Sequence, residues 1–212
     1  MGAYFLCFGD IMKKLTAYFS KGEWTLWGSS SALILISFLL FDRVNTMSLA
    51  ASLIGVTSLI FNAKGNPIGQ ALMILFSLLY GVISYTFSYF GEMITYLGMT
   101  GPMALFAYVS WLRNPYNGNR AEVAVNRLEN KELALMYVLT AGVTFGFYFI
   151  LDHFGTANML PSTLSVTTSF IAVYLTFRRS PYFALAYAAN DVVLIVMWTM
   201  AAVEDISYLS VI

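Results

Sequence analysis

PIGQALMILFSLLYGVISYTFSYF, Pro67 to Phe90, is the stretch on which the fold turns. It runs 24 residues without a charged side chain. At about 1.5 Å per residue such a helix is roughly 36 Å long, which exceeds the hydrocarbon thickness of a bilayer, about 30 Å. A proline opens it, in the first helical turn, where the missing N–H would be unpaired in any case. Working outward, six more stretches can span once short cores are allowed interfacial flanks: Trp24 to Phe41, Met47 to Ala63, Met93 to Leu112, Leu133 to Leu151, Met159 to Phe177 and Pro181 to Val203. The composition agrees. The chain is 59% hydrophobic and 10% charged with a mean hydropathy of +0.73, whereas a soluble domain carries about 25% charge. An all-α membrane protein with seven transmembrane helices follows.

Charge placement sets the topology. Lys13, Lys14, Lys21, Lys64, Arg113, Arg120, Arg127, Lys131, Arg178 and Arg179 all fall on one side of the alternating spans. Arg43 alone falls on the other, with Glu92, Asp152, Glu204 and Asp205. By the positive-inside rule the N-terminus is in and the C-terminus is out. Ahead of the first span, Tyr4, Phe8, Ile11, Met12, Leu15 and Phe19 recur at helical spacing beside lysines. That segment reads as an interfacial amphipathic helix, with a disordered tail as the alternative. The longest loop, Arg113 to Glu132, reads as a turn followed by a polar surface helix.

The chain also resembles itself. LIGVTSLI, Leu53 to Ile60, matches LSVTTSFI, Leu164 to Ile171, and each leads to a basic turn closed by proline, KGNP at Pro67 and RRSP at Pro181. Spans 1 to 3 and 5 to 7 both start inside, so the halves are parallel repeats joined by span 4, a known transporter plan with its site near the midplane. The chain then divides into an N-terminal interfacial segment (1–22), a first three-helix repeat (23–91), a linker helix and cytoplasmic loop (92–132), a second three-helix repeat (133–204) and an external tail (205–212).

FNAKGNPIGQ (Phe61 to Gln70), YFGEMITY (Tyr89 to Tyr96), SWL (Ser110 to Leu112), IAVYLTFRR (Ile171 to Arg179) and NDVV (Asn190 to Val193) together resemble the nicotinamide riboside transporter (PnuC) family. That family is related in architecture to the SWEET sugar facilitators. The resemblance implies a three-plus-one-plus-three helix plan, a homotrimer in a bacterial plasma membrane, and facilitated diffusion of a vitamin trapped inside by phosphorylation. Family members often carry tryptophan where this chain has Gln70 and Tyr187, and glutamine where it has Val173. Thiamine, riboflavin and deoxynucleoside relatives are the alternative substrate classes.

Asp191 lies ten residues beyond Pro181, near the bilayer centre. An aspartate there costs about 2.5–3.5 kcal/mol on insertion scales, so it should face a partner or a wet cavity. Asn190 adjoins it, and Tyr187, Leu194 and Trp198 share its face. Either these residues form a polar, aromatic wall for a ring-bearing substrate, or Asp191 pairs two helices. Span 3 offers Gln70 near its entry and a stripe of Ser77, Tyr80 and Ser84, whose hydroxyls serve equally well as helix-to-helix glue. In span 4, Tyr96 and Thr100 precede Pro102, and a kink explains them as well as a ligand does. Thr57, Ser58, Thr168 and Ser169 sit in the repeated motif, where packing competes with binding.

Other classes lack their chemistry. A retinal pump needs a lysine in the last span, and none is there. No HExxH motif and no paired intramembrane aspartates occur, and the one histidine, His153, lies at an external helix end. Enzyme chemistry is therefore not expected. Cys7 stands alone, so no cysteine metal site or intrachain disulfide can form. No cofactor, metal or nucleic-acid partner is expected; the partners are a small-molecule vitamin and the lipid bilayer. A channel or receptor stays open on composition.

Overall fold

The computed structural model describes residues 18–41, 43–86, 90–156 and 158–204. Tyr4 to Leu15 of the expected amphipathic helix, and the expected tail at 205–212, lie outside them. The chain runs α1 (Lys21–Phe41), α2 (Thr46–Ala63), α3 (Pro67–Thr86), α4 (Phe90–Ile94), a π-helical segment (Thr95–Thr100), α5 (Gly101–Arg113), β1 (Pro115–Tyr116), β2 (Asn119–Val123), α6 (Asn130–His153), α7 (Met159–Phe177) and α8 (Phe183–Glu204). Counting α4, the π segment and α5 as one span gives seven helices. Five of the described helices, α1, α2, α3, α6 and α7, are long and apolar enough to cross a membrane.

Each half is built in the same order. α2 packs on both α1 and α3, and α7 on both α6 and α8. The fourth span lies between the halves, with α5 against α3 and α7. The largest buried cluster centres on α7, where Val166, Phe170, Tyr174 and Leu175 meet Met99 of the π segment and Met136 and Leu151 of α6. α1 and α6 turn large apolar side chains outward, including Leu33, Leu40, Val138 and Phe145. In a bilayer that surface meets acyl chains rather than water.

Local signals repeat between halves. Ser20 and Glu23 close a capping box at the start of α1, with the Ser20 N–H donating to Glu23 Oε2 at 2.7 Å. Glu129 and Glu132 form the equivalent at α6. Each box glutamate also meets a cation from the turn after the second helix: Glu23 with Lys64 at 3.2 Å, and Glu132 with Arg178. Those turns share one geometry. Asn66 N–H reaches Phe61 O at 2.9 Å, and Ser180 N–H reaches Leu175 O at 2.9 Å. Gly65 (φ 67°) and Arg179 (φ 59°) hold the left-handed position of each turn. For Arg179 that conformation costs roughly 1–2 kcal/mol, whereas glycine escapes the penalty.

These turns pair Phe61 with Leu175, an offset of 114 residues. The LIGVTSLI and LSVTTSFI match has an offset of 111. The two registers differ by three residues, so the motif match and the turn match are not one alignment.

The expectation of a polar helix in Arg113 to Glu132 is corrected. An antiparallel hairpin forms instead, β1 with β2, turning at Asn117 (φ 48°) and Gly118 (φ 78°). Asn-Gly suits a tight hairpin turn because both residues tolerate positive φ. The described residues are thus helical apart from this two-stranded ribbon and the connecting segments.

Candidate functional site

The π segment arises from Pro102. Proline cannot donate to the carbonyl four residues back, and its ring crowds that carbonyl; a widened turn relieves the clash, and such turns recur at functional sites. Gly101 N–H bonds Tyr96 O in the five-residue pattern. The widened turn carries Tyr96 toward α3. There Phe76 and Tyr80, one turn apart, stack at 5.6 Å, and Tyr96 sits 4.4 Å from Tyr80 and 5.9 Å from Phe76, centroid to centroid. Glu92 lies one turn before Tyr96 on the same face and is half-buried. Tyr96 is within electrostatic range of Tyr80, Glu92, Tyr187 and Asp191.

Five residues from three helical segments therefore converge: Tyr80 of α3, Glu92 and Tyr96 of the fourth span, Tyr187 and Asp191 of α8. Tyr187 is half-buried and Asp191 exposed; these residues border a cleft between α3, the π segment and α8. Its walls are aromatic and its charges are carboxylates. α3, α4, the π segment and α8 contain no Lys or Arg.

The other expected residues sit elsewhere. Gln70 is 2% exposed, and its amide donates to Asn62 Oδ1 at 2.8 Å; Asn62 Nδ2 donates to Ser58 Oγ at 3.3 Å, and Ser58 Oγ to Gly69 O at 2.8 Å. This chain of bonds fastens α3 to α2. Asn190 is buried and its Oδ1 accepts from Thr168 Oγ1 at 2.8 Å and Ser169 Oγ at 2.9 Å, which joins α8 to α7. Ser77 is fully buried beside Gly101, and its hydroxyl has no hydrogen-bond partner among the described residues. Thr100 is buried at the end of the π segment. The Trp198 side chain lies outside the described residues. Val173 is in the core. Of the ten expected binding residues, Tyr80, Tyr96, Tyr187 and Asp191 meet at the cleft.

Glu92 and Phe76 were missed. Glu92 reads as an external loop charge only if span 4 starts at Met93; the helix starts at Phe90, and the i, i+4 spacing to Tyr96 was the available signal. A separate groove of about 580 Å³ lies between α1 and α2, lined by Phe19, Trp24, Trp27, Ile60 and Phe61. Its two polar neighbours are occupied: Glu23 pairs with Lys64, and Thr57 accepts from Trp27 Nε1 at 3.1 Å while donating to Leu53 O. The cleft, whose carboxylates make no ion pair among the described residues and lie within range of the Tyr80 and Tyr96 rings, has the richer chemistry.

Comparison with known proteins bears on the same residues. The chain is 24% identical over 186 residues to the nicotinamide riboside transporter PnuC of Neisseria mucosa, covering 82% of this chain and 70% of that protein. Its fold is similar to the crystal structure of the vitamin B3 transporter PnuC, with a TM-score of 0.75, 20% identity, and coverage of 91% of this chain and 86% of the other. The model of the nicotinamide mononucleotide transporter family matches residues 45–212. That match takes in α2 to α8 and every residue of the cleft, and the chain belongs to the nicotinamide mononucleotide transporter family.

Proposed function

We propose that this transporter carries nicotinamide riboside inward by facilitated diffusion, the vitamin then being trapped by phosphorylation inside the cell. The observation that carries the reading is the cleft: Phe76 stacked on Tyr80, with Tyr96 packed at an angle against both, and Glu92 and Asp191 in range. An aromatic face attracts a cation through its quadrupole, and the attraction grows where water is excluded. Nicotinamide riboside offers a flat pyridinium ring, which such rings stack on and carboxylates favour. The mononucleotide adds a phosphate. With no Lys or Arg in α3, α4, the π segment or α8, that phosphate would meet only carboxylates and be disfavoured relative to the riboside.

The same reading takes the molecule as two parallel three-helix halves joined by the fourth span, the plan of the SWEET facilitators, with N-terminus in and C-terminus out. The matched capping boxes, ion pairs and left-handed turns support it. It works as a homotrimer in a bacterial plasma membrane, and its activity is transport without catalysis.

The test is binding and flux with purified protein. A thermal-shift panel of nicotinamide riboside, nicotinamide mononucleotide, thiamine, riboflavin and thymidine should stabilise with the riboside foremost, since a ligand at 100 times its Kd adds about 2.7 kcal/mol. In proteoliposomes the riboside should equilibrate, and an imposed proton or sodium gradient should not concentrate it. Preference for the mononucleotide, or gradient-driven accumulation, overturns the assignment.

A further inference from the structure

The polar segment between α5 and α6 touches both halves at matching points. Val123 N–H, at the end of β2, donates to Gly65 O at 2.9 Å; three residues on, Asn126 N–H donates to Arg179 O at 3.0 Å. Gly65 and Arg179 are the left-handed residues of the two matching turns, each following a second helix and each preceding the residue that closes its turn. Between the contacts, Ala124 N–H bonds Asn114 O at 2.9 Å, holding the segment to the end of α5, and Ala124 O accepts from Arg179 Nη1 at 3.3 Å. The approach to the first half is close. A Cβ on Gly65 would lie 3.3 Å from Val123 Cγ1 and 3.5 Å from Val123 N.

Arg179 is the informative residue. Its backbone conformation suits glycine, which the first half has at the same place. Another residue there needs something in return, and the guanidinium bond to Ala124 O is what this one gains. Burial, with the neighbouring Arg178 adding to it, lowers the Arg179 pKa from its ordinary value, as expected of a guanidinium drawn partly out of water against the segment. Counting Arg179 only as a topology signal leaves both its conformation and its contact unexplained.

We infer that residues 123–126 are a strap that ties the two halves together at the basic edge of the bundle. It fixes the α2–α3 turn against the α7–α8 turn, so relative rocking of the halves pivots about this edge and opens widest at the other. The inference rests on the reading of two halves that move against each other.

The experiment needs no substrate. In a Cys7→Ser background, spin labels at Ile68→Cys and Tyr182→Cys, exposed residues just beyond the two turns, report the distance between the turns in lipid nanodiscs, with labelled protein diluted by unlabelled. The parent should give one narrow distribution. Val123→Pro with Asn126→Pro, which removes both N–H donors, should broaden it toward longer distances, and Arg179→Gly, which keeps the carbonyl but not the guanidinium, should do so partially. Unchanged distributions in the folded variants overturn the strap. Should the proline variants not fold, hydrogen exchange on the unsubstituted protein decides: the Val123 and Asn126 amides should exchange at least tenfold more slowly than those of Val125 and Arg127. Equal rates overturn it. Because neither readout involves nicotinamide riboside, a wrong substrate assignment leaves this result standing, and a failed strap leaves the binding result standing.

Discussion

Gly69→Ala tests how closely α2 and α3 are joined. A Cβ at Gly69 would lie 2.2 Å from Asn62 Oδ1, 2.7 Å from Asn62 Cγ and 2.6 Å from Asn62 N. Rotating Asn62 relieves the side-chain clashes, but the backbone nitrogen belongs to α2 and moves only if the helix moves. Either response breaks the buried chain Gln70–Asn62–Ser58–Gly69. Overpacking costs about 1–3 kcal/mol, and interhelical hydrogen bonds in membranes average about 0.6 kcal/mol each. Losing the two that cross between α2 and α3, Gln70 to Asn62 and Ser58 to Gly69, together with the clash gives roughly 2–4 kcal/mol. Gly81→Ala is the informative contrast. Its Cβ would lie 2.5 Å from Leu97 Cγ, but that is a side chain, 39% exposed, which can swing outward, so the cost should stay near 1 kcal/mol or below. Gly142→Ala meets nothing within 4 Å and should be neutral or gain up to about 1 kcal/mol from helix propensity. Unfolding in mixed micelles followed by tryptophan fluorescence ranks the three. Asn62→Ala should rescue Gly69→Ala only in part, because the backbone contact persists. A Gly69→Ala protein within about 0.5 kcal/mol of the parent refutes the close approach, a threshold well below the overpacking range.

Glu92→Gln and Asp191→Asn should each weaken nicotinamide riboside by about 1–2 kcal/mol, what is left of a Coulomb attraction of roughly 4 kcal/mol after desolvation of both charges, and leave a neutral nucleoside unaffected; calorimetry showing equal losses for both ligands would point to packing roles instead. A cysteine at Asn117 in a Cys7→Ser background should resist an impermeant thiol reagent in intact cells, and labelling there would reverse the topology. Trp111→Phe removes the bond from a 1% exposed indole to Thr176 O at 2.9 Å; since Arg179 N–H also reaches that carbonyl, the cost should be about 1–2 kcal/mol, and an unchanged melting temperature would contradict the contact.

Helix positions were legible because hydrocarbon thickness converts directly into sequence length. Met159 to Phe177 is both the expected sixth span and the observed α7, and Pro67 begins α3 as its chemistry requires. Direction around a helix axis was less legible. Gln70 and Asn190 were expected at the cavity because amides are costly in lipid, yet that cost says only that an amide must find a partner. For Gln70 the partner is Asn62, and for Asn190 it is the Thr168 and Ser169 pair. The π segment leaves almost no compositional trace beyond Pro102, so the rotation that brings Tyr96 against Tyr80 could not be drawn from a regular helical wheel. The hairpin had a readable signal, Asn117-Gly118, which was outweighed by the mixed Arg and Glu spacing that follows it.

The cations along the basic edge do more than record topology. Lys64 and Arg178 occupy the same place in their turns, and each meets the glutamate that also closes the capping box of its half. Their side chains are partly exposed, 23% and 32%, so each pair is worth only about 0–1 kcal/mol. Such pairs add little to stability. What they fix is where the first helix of each half starts relative to the turn between its second and third. On the proposed two-half reading, each half is thereby fastened internally at one edge by a pair of its own, while among the described residues the stretch at 123–126 bonds to the turns of both. Duplicated internal fastening with a shared join is the arrangement that the proposed rocking of two bodies requires, because each half must hold its own shape while the join sets the pivot.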